Sequence, residues 1–121
     1  DHVGDTARIE SAKLIMERIK ELTAKQNYPV VFTGDFNSQP SDAPVQYISK
    51  HLNNTRMISA MSPYGPAATW NAFKFGEVPK GWIDHVFVSK SISVQKYAVL
   101  TDSYDKKYPS DHFPVLVHIT Y

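Results

Sequence analysis

Pro29-Val30-Val31-Phe32-Thr33-Gly34-Asp35-Phe36-Asn37 passes from an apolar run straight into an acid and an amide. Val30 to Thr33 is short, apolar and bounded by Pro29 and Gly34, which predicts a buried strand with Asp35 at its end. Two later stretches repeat the arrangement. Trp82-Ile83-Asp84-His85-Val86-Phe87 and Ser110-Asp111-His112-Phe113-Pro114-Val115 each set an Asp–His pair at the end or edge of a predicted strand. Acids, an amide and imidazoles delivered to strand ends are the groups that a metal-assisted attack on phosphate uses. One such stretch alone carries little weight, whereas three in this order carry a good deal.

Working outward, apolar residues at Ile9, Ala12, Ile15, Met16, Ile19 and Leu22 recur at helical spacing and predict a helix over 6–26 with one buried face. Asp5 or Thr6 is placed to cap it, and Asn27-Tyr28-Pro29 to stop it. After the first motif, Ser38 to Asp42 reads as loop. Ser41 or Asp42 then caps a second helix with Pro44 in its first turn and Val45, Ile48 and Leu52 as its inner stripe. Pro63, Gly65 and Pro66 break any long element between Asn53 and Ala68. Strands are expected over 69–73, 83–89, 94–100 and 114–120, with 76–81 as a loop. In the last strand Val115, Val117 and Ile119 alternate with Leu116, His118 and Thr120. One face is therefore core, and both are if packed layers enclose it. An alternating beginning and a β-rich end make this an α/β (α+β) chain.

Composition bounds the reading. With 121 residues the chain is one domain or less, and 42% hydrophobic with 21% charged residues is ordinary for a globular protein. No apolar run approaches the roughly 20 residues that span a bilayer. The absence of cysteine excludes disulfides, thiol nucleophiles and cysteine-based zinc sites, and leaves the compartment open. A net charge of +1, from 13 Lys+Arg against 12 Asp+Glu, lacks the footprint of a dedicated nucleic-acid binder. Lys74, Lys80, Lys106 and Lys107 read as solvated surface. Phosphate chemistry survives this objection, because a small phosphoester needs only a local positive site.

Each candidate has a plain structural reading beside the functional one. Asp35 alone is a loop acid closing a turn on Gly34. Asn37 two residues later, and the two downstream acid motifs, favour chemistry: an acid that accepts a proton beside a neutral amide that stabilises charge. His112 suits proton transfer because its ordinary pKa is about 6.5. Asp84 shares a face with Val86 and Val88, where a carboxylate is costly unless paired. Its natural partner is His112, whose ring one carboxylate oxygen fixes. His85 falls on the opposite face and reads as structural or as rim. Trp70 and Phe73 read equally as core filling or as groove lining, and Asn71 shares that ambiguity. His51 and His118 have no partner in view.

These motifs resemble the endonuclease/exonuclease/phosphatase superfamily, the metal-dependent phosphodiesterases and phosphatases related to DNase I. The resemblance runs end to end but covers only the second half of that domain. In the family a strand ending in Asn-Thr-His leads into a segment like Asp1-His2-Val3-Gly4 and then a helix. The resemblance therefore implies that the metal-binding Glu, an early Asn and that His lie outside residues 1–121, the C-terminal half, and that His2 borders the site. The implied fold is a DNase I-like two-layer β-sandwich flanked by helices, of which this chain is one mainly antiparallel sheet with two helices and one apolar sheet face uncovered.

The resemblance also implies roles. Asp35 orients or deprotonates the attacking water and, with Asp111, lies at the metal, Mg²⁺ or Mn²⁺. Asn37 donates to a phosphate oxygen, His112 contacts the scissile phosphate, and Asp84 orients His112. Trp70 and Asn71 line the substrate groove. The implied substrate is a phosphoester, either nucleic acid or a small phosphorylated molecule, and the mixed charge leans toward the latter. The implied partner is the N-terminal half or a second copy covering the bare sheet face, without which the chain is expected to be nearly inactive. The rival readings are an assembly fragment and a non-catalytic binding module. The presence of Asp35, Asn37, Asp84, Asp111 and His112 together argues against the second.

Overall fold

The computed structural model describes residues 2–121, with side chains from Gly4 onward, so the expectation for His2 rests on a side chain outside that range. The first helix, α1, spans His2–Thr23. It starts earlier than its periodicity predicts, which puts Asp5 in the first turn rather than at the cap. There its carboxylate suits the helix dipole and meets Arg8 at 2.6 Å. Ala12 and Met16 are buried and Ile19 packs beside them, whereas Leu22, expected on the inner face, is 65% exposed. The core under α1 extends only along the Ala12–Met16–Ile19 line.

Beneath α1 lies a three-stranded sheet in the order β1 (Val31–Asp35), β3 (Asp84–Val88), β2 (Asn53–Asn54), antiparallel throughout. Phe87 joins Ala12, Met16, Val45, Ile48 and Leu52 in the main core, with Phe32 and Phe36 packed against it. Short α2 (Ala43–Ser49) supplies Val45 and Ile48 from the predicted stripe and buries Pro44 as well, while Leu52 reaches the core from beyond its end. Asp42 precedes α2 but does not cap it through its side chain, because its Oδ2 accepts from the Gln39 amide at 2.7 Å. The opposite face of β1 is bare. Val31 is 51% exposed and Thr33 is exposed too, so the expected buried strand is covered on one side only.

The strands form two sheets rather than the single one expected. After β3 the chain turns at Ser89, whose carbonyl accepts from the Ile92 amide at 3.0 Å, and β4 (Ser93–Val99) leaves to pair antiparallel with β5 (Val115–Thr120). Val88, Ile92 and Val94 pack with Val117 and Ile119, filling the space between the layers. On β5 the odd-numbered row is partly buried and Leu116, His118 and Thr120 are exposed, so only one face is core.

The segment 53–68 holds β2 and a short helix, α3 (Thr55–Ile58), capped by the Asn54 side chain, which accepts from Arg56 N at 3.2 Å. The Arg56 guanidinium lies 5.5 Å from the Trp82 ring and 5.3 Å from that of Tyr97, pinning α3 to β4 through cation–π contact. Residues 60–64 then run along β4, Tyr64 N donating to Tyr97 O and Val99 N to Tyr64 O, both at 2.9 Å. Gly65 follows with φ +80°, and a Cβ there would collide with the Val99 carbonyl oxygen. The strand expected over 69–73 reduces to one bridge, Trp70 to His112. Left-handed φ values at Ala72 (53°) and Phe73 (59°) turn the chain away after it.

Candidate active site

The register of β1 and β3 brings the first two motifs together. Asp35 is the direct partner of Asp84 across the pair, which aims both carboxylates at one face of the sheet. Like charges directly opposite are destabilising. The third motif supplies an offset. The Trp70–His112 bridge carries His112 to this face, where its Nδ1 lies 2.7 Å from Asp84 Oδ2. A carboxylate has nothing to donate, so Nδ1 carries the proton and Nε2 remains for other contacts. The Asp84 hydrogen bond and charge raise the His112 pKa against the opposing effect of burial, and Asp35 and Asp111 add to the rise. Ligating atoms of Asp35, Asp84 and His112 all lie within 4.8 Å of one another.

Asn37 is tied to Asp35 locally. Its backbone N–H donates to Asp35 Oδ1 at 2.8 Å, closing a turn in which Asn37 takes φ 46°, a conformation Asn tolerates better than most residues. Gly34 is therefore not the turn residue that a plain reading makes it; it sits within β1 opposite His85. Asp35 and Asn37 are exposed at a cleft of about 350 Å³ also lined by Arg8, Ser11 and Ile15.

The other candidates divide. Trp70 is 42% exposed on the face that carries His112, open to solvent as a groove residue would be. Asn71 is buried, and both ends of its amide are engaged within the protein: Nδ2 donates to Ser110 O at 3.0 Å and Oδ1 accepts from Phe73 N at 2.8 Å. These contacts brace the loop bearing Asp111. Asp111 lies outside the three-residue cluster. Its carbonyl accepts from the amides of Asn71 and Ala72, at 2.8 and 3.2 Å. His85 is fully buried, with Nε2 donating to Ser38 O at 2.8 Å and Nδ1 accepting from Asn54 Nδ2 at 3.3 Å. Burial lowers its pKa, so it is a neutral strut holding the loop after Asn37.

The cluster's chemistry fits a hard divalent ion in part. Two carboxylates match the oxygen preference of Mg²⁺ or Mn²⁺, and Asp35 is the acid not engaged by His112. These side chains are fewer than the roughly six ligands such an ion takes, so water, substrate or other protein groups would complete the shell.

The sequence matches the model of the Endonuclease/Exonuclease/phosphatase family over residues 1–112. The chain belongs to that family. Members of the family are metal-dependent phosphoesterases. A mannosyl-6-phosphatase of Bacteroides thetaiotaomicron superposes with a TM-score of 0.91 at 38% identity, covering 100% of this chain and 48% of its own. A protein of unknown function from Enterococcus faecalis does so at 0.83 and 31%, covering 99% and 46%. The human nocturnin catalytic domain, at 19% identity and TM-score 0.71, shares the fold over 96% of this chain and 42% of its own. No curated protein matches. The chain spans about half the length of these solved relatives, a partial domain of the endonuclease/exonuclease/phosphatase fold.

Proposed function

We propose that this chain is the C-terminal half of a metal-dependent phosphoester hydrolase and supplies the water-activating and phosphate-holding side of its site. The observation that carries the reading is the convergence of Asp35, Asp84 and His112 within 4.8 Å. Asp35 accepts a proton from the attacking water. The Asn37 amide and His112 Nε2 hold the phosphate oxygens as charge develops. Protonated His112 can pass a proton to the departing oxygen as the P–O bond breaks, while Asp84 keeps the ring aimed. Asp35, with Asp111 nearby and residues of the other half, would hold Mg²⁺ or Mn²⁺, which when bound neutralises phosphate charge.

A small sugar-type phosphate is the substrate class we favour over duplex nucleic acid. The likeness to a mannosyl-6-phosphatase at 38% identity supports this, as do the near-neutral charge and the open Trp70 ring beside His112. The N-terminal half is the partner that fits the bare faces of β1 and β5. The test is hydrolysis of sugar phosphates, a generic diester and plasmid DNA, with Mg²⁺ or EDTA, by the chain alone and with its upstream half supplied. Turnover of sugar phosphate only in the completed domain, abolished by EDTA and by Asp35→Ala, is expected. Turnover unaffected by Asp35→Ala would overturn the assignment.

A further inference from the structure

Thr69 is completely buried and joins the two segments that carry Asp84 and His112. Its Oγ1 accepts from two consecutive amides, Ile83 N at 3.2 Å and Asp84 N at 3.1 Å. Its carbonyl accepts from Phe113 N at 2.7 Å, directly after His112, and its own N–H donates to Gly81 O at 3.1 Å. One residue thus grips the backbone at Asp84 with its side chain and the backbone beyond His112 with its main chain. The distance between those two grips is set by the covalent geometry of a single residue. The next residue, Trp70, pairs with His112 itself.

We infer that Thr69 is the positioning residue that sets the Asp84–His112 separation, an inference that rests on the phosphoesterase reading for its consequence in catalysis. A hydroxyl is the smallest side-chain group that can accept from two amides at once, because its oxygen has two lone pairs. The β-branch limits χ1 and holds that oxygen still. Removing the oxygen leaves two part-buried amides without their acceptor. The start of β3, though still paired with β1, then loses its direct tie to the bridge at His112. Displacements well under 1 Å are enough to cost a 2.7 Å hydrogen bond between the two side chains much of its strength. Thr69 touches no reacting atom in this scheme, so its effect is on rate through Asp84 and His112.

The experiment compares Thr69→Val, which keeps shape but lacks the oxygen, with Thr69→Ser, which keeps the oxygen, both in the completed domain with a sugar phosphate. Thr69→Ala serves if Thr69→Val does not fold. The valine or alanine variant should lose at least tenfold in kcat with KM within about threefold. The serine variant should stay within about threefold of the parent on both. The His112 Nδ1 proton resonance in NMR should move upfield or broaden in the first pair and persist in the serine variant. A folded valine or alanine variant with parental kcat and an unmoved resonance would overturn the inference. So would equal losses in the serine and valine variants. If the parent hydrolyses no phosphoester, the phosphoesterase reading fails by itself, and the resonance still decides whether Thr69 holds the pair together.

Discussion

Asp84 holds His112 by both charge and hydrogen bond, and the two parts separate with pH. A histidine whose folded pKa is raised contributes stability that is complete below its unfolded value of about 6.5. That stability is lost as pH rises through the folded value. The hydrogen bond itself survives, because the neutral ring still donates from Nδ1. Asp84→Asn should therefore lower the melting temperature most near pH 5.5 and progressively less above neutrality, and should cost at least tenfold in activity. Melting curves across that range, with EDTA present throughout, check the sign. This pairing was legible in the sequence because an acid among valines needs a partner and the resemblance gave Asp84 the role of orienting His112. The part played by Asn71 was not legible. A short amide after an aromatic reads alike whether it meets substrate or braces a loop, and its partner, Ser110, is set beside it only by the fold.

At the scale of elements, periodicity found α1, α2 and most strands because their inner rows bury against one another, as Val45, Ile48 and Leu52 do, and it missed the one-turn α3. It failed over 69–73, where Trp70 and Phe73 suggest a strand but side-chain-braced left-handed turns at Ala72 and Phe73 end it at once. It also missed the division into two sheets, since the turn at Ser89 to Ile92 that sends β4 into the second layer has no distinctive residue pattern. Gly65 was read only as a breaker, and the structure gives it a further duty. Gly65 and Gly76 have nearly equal positive φ, +80° and +82°, yet nothing lies within 4 Å of a Cβ at Gly76. Both Gly→Ala variants should lose stability to backbone strain, on the order of 1–3 kcal/mol. Gly65→Ala should lose more, because the segment 60–64 must also lift from β4. Denaturant midpoints of the two variants measure the difference.

At the scale of the whole molecule, the sequence reading of a half-domain agrees with a chain whose solved relatives are about twice as long. On the proposed function the site is divided in the same way: an acid, an amide and an Asp–His pair are on this chain, and a bound ion would draw its remaining ligands from elsewhere. Supplying the missing half should give a 1:1 complex with a higher melting temperature than the chain alone, measurable by sedimentation and calorimetry. Among the described residues β1 is unpaired along one edge of its sheet and β5 along one edge of the other. The other end of the first sheet is β2, an edge of only two residues, so β1 and β5 are the long free edges. Copies that join β1 to β5 meet through unlike patches and have no built-in closure, whereas β1 to β1 or β5 to β5 pairing would stop at a dimer. Where β1 joins β5, the chain kept by itself at high concentration should grow end to end into open filaments, and a partner that occupies either edge would then act as a chain terminator.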